Sequence, residues 1–245
     1  MNELIGQFKE EYGIKKIAGL MMLHYFKWPW CLKDFAHYVD EIYLLLHYSQ
    51  NVDSDWAKEG SKVKGCLELR ESKDWRVEGW YARGGSRFQG DFRDRALRML
   101  DEVQPELVLF PDEDESFPEP EYLVHDLKRL YRSKKNQIAF KRCNFWDSME
   151  LVRKDRWISY KPHVKIYKWR SGLSYHPYIG WNCVSTYGTK KLVARSAVKH
   201  YAYMEKEERE RRFRELYEEK QDRFKGLLET PKLEKYINAR KAPRT

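Results

Sequence analysis

FRDRALRMLDEVQPELVLFPDEDESF, residues Phe92 to Phe117, reads as a helix, a short apolar strand and a run of four carboxylates at the strand's end. Glu106 to Phe110 is mostly apolar and alternates little, the pattern of a parallel strand buried on both faces. Pro111 stops it where Asp112, Glu113, Asp114 and Glu115 begin. In an open α/β sheet ligands bind beyond the carboxyl ends of the strands, which puts this acidic loop at a site. Four like charges side by side repel one another unless a cation sits among them, and hard divalent ions take oxygen ligands of this kind. The ordinary alternative is an acidic loop solvated by water; the reading carried forward is a metal.

At 245 residues the chain has ample material for a core, as one large domain or one and a half small ones. Charged residues make up 35% of it and no apolar run approaches the ~18 residues of a membrane span, so a soluble protein is expected. No positively charged leader with an apolar segment and a small-residue cleavage site opens the sequence, which argues against secretion. Cys31, Cys66, Cys143 and Cys183 lie far apart with no Cys-x-x-Cys pair. That disfavours a zinc knuckle and a disulfide framework and fits the reduced cytoplasm. The net charge of +9 is unevenly laid out. Asp101 to Glu121 holds nine carboxylates and no Lys or Arg, whereas Lys128 to Arg170 holds fourteen Lys and Arg against Asp147, Glu150 and Asp155.

Along the chain, Leu4, Ile5 and Phe8 make an amphipathic start, and Lys16 to Tyr25 reads as a first buried strand followed by the aromatic loop FKWPW. A helix around Leu32 to Tyr38 feeds a second strand, Val39 to His47, so strand, helix and strand form a βαβ unit. The polar loop YSQNVDSD follows, then a third strand over Cys66 to Arg70, a glycine-rich loop over Gly79 to Gly90, and a helix over Asp91 to Glu102. Past Glu121 the pattern predicts a helix to Tyr131, aromatic-rich strands at Gln137 to Phe145 and His163 to Trp169, and a charged helix over Met204 to Leu228. Glu207/Arg211, Glu208/Arg212 and Glu210/Arg214 support that helix at i,i+4 spacing. The basic stretch Pro231 to Thr245 docks or frays.

Arg93-Asp94-Arg95-Ala96-Leu97 on the helix, Asp112-Glu113-Asp114-Glu115 after the strand, Lys165-Ile166-Tyr167 in a later strand and His200-Tyr201 before the charged helix form an ordered series. In order and spacing, over roughly Lys15 to Phe224, the series resembles the motifs of a family 2-like glycosyltransferase of the GT-A fold. The resemblance implies an α/β fold, a mixed and mostly parallel sheet flanked by helices, with a C-terminal helical extension. It implies a domain over 1–203, its donor half about 15–120 and its acceptor half about 121–203, followed by a charged helix and basic tail over 204–245. The implied donor is a nucleotide-diphosphate sugar, a UDP-sugar first, bound with Mn²⁺ or Mg²⁺ that neutralises the departing diphosphate. By the same resemblance Asp114, Asp112 and His200 make up the metal site, Asp112 also faces the ribose, and Arg93 contacts the diphosphate. Asn51 and Asp53 are the candidates for holding the nucleotide base, in a loop where His47 stands in place of the family's leading Asp.

Inverting transfer of a hexose or pentose needs a general base near the acceptor hydroxyl, and Asp147 in NFWDSME and His176 in SYHPYIGW are the two candidates. Phe145 and Trp146 beside Asp147 would raise its pKa by desolvation, and an Asp opening a helix would look the same. For the acceptor, the basic residues of Lys128 to Arg170 interleave with Tyr131, Phe140, Phe145, Trp146, Trp157, Tyr160, Tyr167 and Trp169. Cations on phosphates and aromatic faces on unpaired bases together suit DNA, such as a flipped-out hydroxymethylated pyrimidine in a genome that a bacteriophage masks. Two alternatives stay open: transfer onto a cell-surface glycan or lipid-linked sugar, and a nucleic-acid-binding module without catalysis.

Overall fold

Ile17 to Leu23, IAGLMML, carries no charge and does not alternate, and it is buried along nearly its whole length as β1 (Ile17–Leu23). The computed structural model describes residues 1–23, 29–47, 63–69, 97–98, 100–154, 162–171, 173, 190–217 and 231–236. Within it β1 lies in a run of four parallel strands with β2 (Glu41–His47), β3 (Val63–Leu69) and β4 (Leu107–Leu109), in the spatial order β3-β2-β1-β4. The crossover from β1 to β2 is α2 (Pro29–Phe35), preceded in the chain by α1 (Glu3–Tyr12). Asn2 caps α1 by accepting from the Leu4 N–H, and Gly13 ends it in the left-handed region with φ 65°.

Beyond β4 the ladders turn antiparallel. β8 (His163–Lys168) pairs with β4, β6 (Gln137–Trp146) with β8, β7 (Ser148–Arg153) with β6, and β10 (Leu233–Lys235) closes that edge on β7. A side branch leaves β6, on which β9 (Lys191–His200) lies parallel and carries the two-residue β5 (Glu115–Ser116) antiparallel. α3 (Pro120–Tyr131) and α1 cover one face, where Ile5, Phe8, Leu123, Leu127 and Leu130 pack against Ile17, Leu107, Leu109, Ile138 and Phe140. Leu97 and Leu100 pack with Ala18, Leu20, Val108 and Tyr167 in a second cluster. α4 (Lys206–Tyr217) follows β9. Among the described residues no helix is long and apolar enough to cross a membrane.

The fold class expected from the sequence, a mixed α/β sheet flanked by helices, is the one observed. Three details differ. The strand at Leu107–Leu109 is parallel to β1 and antiparallel to β8 on its other side. β9 was not foreseen, since its first half is exposed and shows no core-facing run. Finally, the basic stretch after Pro231 does dock, through β10, so the C-terminal extension adds a strand to the sheet as well as a helix. Residues 48–62 and 70–96, including the glycine-rich segment, lie outside the described residues.

Gly19 is what lets α2 lie close against β1: a Cβ built there would sit 2.6 Å from Cζ and 2.7 Å from Cε1 of Phe35. Both neighbours are packed, with Phe35 1% exposed, so the ring has little room to retreat. Gly19→Ala is expected to cost ~1–3 kcal/mol of stability, the usual range for overpacking a core. Urea unfolding followed by circular dichroism checks it, with a lower midpoint at unchanged slope as the expected result.

Candidate functional site

The four carboxylates form a tight turn rather than a solvated loop. The Glu115 N–H donates to the Asp112 carbonyl at 3.0 Å, and the Asp112 N–H donates back to Glu115 Oε2 at 3.0 Å. Asp112 also bridges to Met22 at the end of β1, which holds the turn at the carboxyl ends of β1 and β4. Glu113, Asp114 and Glu115 are buried, Glu115 completely.

Such a cluster cannot stand on its own charge. Two like charges ~4 Å apart repel by ~4 kcal/mol at the effective dielectric of a protein site. The compensation comes from the basic half of the chain. Arg142 on β6 reaches Asp112 Oδ2 with Nη2 at 2.5 Å and Glu115 Oε1 with Nε at 2.6 Å. Lys165 on β8, 1% exposed, places Nζ 2.8 Å from Asp112 Oδ2 and 2.6 Å from Glu115 Oε2. Burial opposes the charge of Arg142, but Glu115, Asp112 and Asp114 outweigh it and hold its pKa above the ordinary arginine value. Two protein cations therefore supply counter-charge to Asp112 and Glu115.

Asp114 is turned elsewhere. Its Oδ2 lies 3.7 Å from His200 Nε2, beyond hydrogen-bond length and within the ~4.2 Å that two ligand atoms can span when each is ~2.1 Å from one ion. The backbone sets this approach, since Glu115 pairs with His200 across β5 and β9 and the Tyr201 N–H donates to the Asp114 carbonyl at 2.8 Å. On its other side His200 places Nδ1 2.7 Å from Asn144 Oδ1. With the carboxamide oxygen as acceptor, Nδ1 carries the proton and Nε2 presents its lone pair toward Asp114. That is how a second partner orients a metal-binding histidine. Both side chains are buried, His200 3% and Asn144 8% exposed.

The structure thus brings together two of the three residues expected at the metal, Asp114 and His200, and takes Asp112 away to Arg142 and Lys165. Among the described residues no three His, Cys, Asp or Glu side chains are grouped to hold an ion. The donor set that fits a cation is a carboxylate and an imidazole, with remaining positions open to a ligand's oxygens. Arg93, Asn51, Asp53 and His176 lie outside the described residues.

Asp147 is not the desolvated carboxylate expected. It occupies the turn between β6 and β7 in the left-handed region, φ 61°, with its N–H on the Met204 carbonyl at 2.8 Å. Its side chain is 52% exposed and accepts from Arg209 Nη2 at 2.6 Å, while Phe145 and Trp146 face the interior. Asp147 lies just past the end of β6, and the left-handed turn there leaves its side chain on the surface with Arg209 although Phe145 and Trp146 are buried.

The aromatic half of the expected nucleic-acid surface also turns inward. Phe140, Phe145, Trp146 and Tyr167 are between 0% and 2% exposed, Tyr131 packs on Phe8 and Tyr12, and Trp157 and Tyr160 lie outside the described residues. Several of the interleaved cations are likewise engaged: Arg142 and Lys165 by carboxylates, Arg153 over the Trp146 ring at 4.7 Å and Lys168 over Tyr131 at 4.5 Å. Arg142, Lys165 and Asn144 are the site residues that sequence reasoning left without a role. The signal for the two cations was present in the mismatch between a purely acidic segment and the basic one after it, and in a lysine flanked by Val164 and Ile166 in an apolar strand.

Removing one partner of a buried, hydrogen-bonded ion network leaves the others uncompensated, at a cost of ~3–5 kcal/mol. Lys165→Met is expected to lose about that much, and Lys165→Arg less, as read by chemical denaturation. A Lys165→Met protein as stable as the parent would show that the network is not needed to hold the turn.

No family model matches the chain, and no curated protein sequence does. Among solved structures it is similar to a mannosyltransferase from Pyrobaculum calidifontis in complex with GDP-mannose and Mn²⁺, at 13% identity over 82% of this chain and 61% of that one, TM-score 0.48. It is also similar to a 4-diphosphocytidyl-2C-methyl-D-erythritol synthase, at 10% identity over 73% of this chain and 88% of that one, TM-score 0.47. A third is the glucosyl-3-phosphoglycerate synthase of M. tuberculosis, at 15% identity over 57% of this chain and 48% of that one, TM-score 0.36.

Proposed function

We propose that this chain is a metal-dependent glycosyltransferase that takes its sugar from a nucleotide-diphosphate donor, a UDP-sugar first. The observation that carries the reading is the Asp114–His200 pair at the carboxyl ends of the parallel strands, with Asn144 setting the histidine tautomer. Mn²⁺ or Mg²⁺ held there supplies Lewis-acid neutralisation of the departing diphosphate. The chain's own residues do the rest. Asn144 keeps the proton on Nδ1 and the Nε2 lone pair available. Arg142 and Lys165 hold Asp112 and Glu115, which keeps the turn in shape around Asp114. Asp112, its Oδ2 already engaged, serves the ribose side rather than the ion. Arg93 is assigned to the diphosphate, and Asn51 and Asp53 to the base.

With Asp147 held by Arg209, His176 is our choice of general base, taking the acceptor hydroxyl's proton on the face opposite the leaving group in an inverting transfer. For the acceptor, Phe140, Phe145, Trp146 and Tyr167 face inward among the described residues, which weakens the case for base stacking on DNA and for a non-catalytic nucleic-acid-binding module alike. A sugar hydroxyl on a glycan or lipid-linked acceptor is therefore placed ahead of a hydroxymethylated base in DNA.

The expected outcome is divalent-metal-dependent hydrolysis or transfer of a UDP-sugar, with kcat/KM lowered by ~10²-fold or more in Asp114→Ala and in His200→Ala, the scale of losing a few kcal/mol of charge stabilisation. Activity indifferent to chelator, or undiminished in Asp114→Ala, would sink the reading. Mass gain on a lipid-linked glycan, on hydroxymethylated duplex DNA or on neither assigns the acceptor.

A further inference from the structure

Asn144 and His200 are register partners in the parallel ladder of β6 and β9. Successive side chains on a strand point to opposite faces, so the residues that follow them, Phe145 and Tyr201, meet on the other side of the sheet. There the two rings stack face to face, centroids 5.1 Å apart and planes 9° from parallel. The ladder is riveted at this point from both faces, by the Asn144–His200 hydrogen bond on one and by the Phe145–Tyr201 stack on the other.

The stack is capped at each end. Trp30 of α2 meets Tyr201 edge-on at 6.1 Å, and Tyr236 lies on Phe145 at 5.0 Å with planes 57° apart. Tyr236 arrives from the far C-terminal part of the chain. β10 pairs with β7, and the Tyr236 N–H then donates to the Glu150 carbonyl at 2.5 Å. Its hydroxyl is buried beside the Glu119 carboxylate, and burial first and that carboxylate second hold its pKa above the ordinary tyrosine value. The ring and the backbone are what tie Tyr236 to Phe145 and to β7. Without that ring one face of Phe145 would be open, and the stack that fixes the register behind His200 would lose its outer wall.

We propose that Tyr236 is a positioning residue for the His200 imidazole, acting through Phe145 and Tyr201; this rests on the role given above to His200 as a metal ligand. The β10 segment is then part of the site's construction, a contribution that no motif in the chain announces. Two readouts on the full chain test it: the ring ¹⁵N signals of His200 in metal-free protein, assigned by their loss in His200→Gln, and the Kd for Mn²⁺ alone. Tyr236→Phe is expected to match the parent in both. Tyr236→Ala is expected to convert a single Nδ1-protonated tautomer into a mixture and to weaken Mn²⁺ binding by ~10-fold, the lower end for loss of an outer partner of a ligand. Should the alanine variant not fold, Tyr236→Leu, which keeps buried volume but no ring face, is read in its place with the same expectation. Phe8→Ala, a core truncation under α1 and outside this aromatic cluster, should lower stability and leave the tautomer alone. A single unchanged tautomer in both Tyr236→Ala and Tyr236→Leu overturns the proposal, as does equal scrambling in Phe8→Ala. If the parent protein binds no Mn²⁺, the metal reading falls, and the His200 signals alone still decide the positioning role.

Discussion

Everything at the carboxyl ends of the parallel strands depends on two cations finding two carboxylates. Asp112 and Glu115 close a turn on themselves, and that turn is buried, so its charge must be met from within the protein. Arg142 and Lys165 meet it by each contacting both acids, which makes a closed four-membered network instead of two separate pairs. Burying ions costs several kcal/mol each unless geometry and hydrogen bonds are good, and a network in which every partner is shared satisfies that condition. Asp114 adds its charge to the pair that holds Arg142 protonated, while its Oδ2 lies 3.7 Å from His200 Nε2. The same contacts tie the turn after β4 and the start of β5 to β6 and β8.

Much of the framework was legible in the sequence, and the reason is periodicity. β1, β2, β4, β6, β8 and α3 are long or apolar enough to declare themselves, and their observed bounds fall within a few residues of those expected. β9 did not, because half of it is exposed, and β5 and β10 are too short to leave a pattern. At the site, Asp114 and His200 were readable through their motif neighbours, and they do meet. The destination of Asp112 was not readable, since it is decided by which cations the later strands deliver. Local spacing carries no information about partners that lie beyond a hundred angstroms of extended chain.

The reading of the acceptor half shows the opposite hazard. Basic and aromatic residues alternating along a segment suggest a nucleic-acid surface, but in a β-strand alternation is also how a core face and an outer face are written. Along β6 Phe140, Phe145 and Trp146 took the core, and Arg142 was drawn inward by the acidic turn. Composition was the same under both meanings; only the pairing of strands distinguishes them. Asp147 illustrates a related point, since its two aromatic neighbours in sequence are buried while its own side chain is half exposed and paired with Arg209.

The four-membered network also has an order of synthesis. A ribosome delivers Asp112 to Glu115 first, Arg142 later and Lys165 later still. Until then β1 to β4 form a nascent unit whose most acidic corner has nothing to lean on. Parallel pairing is slow to form in any case, because its contacts are distant along the chain. The acidic corner therefore has all its counter-charge only once β6 and β8 have both been made.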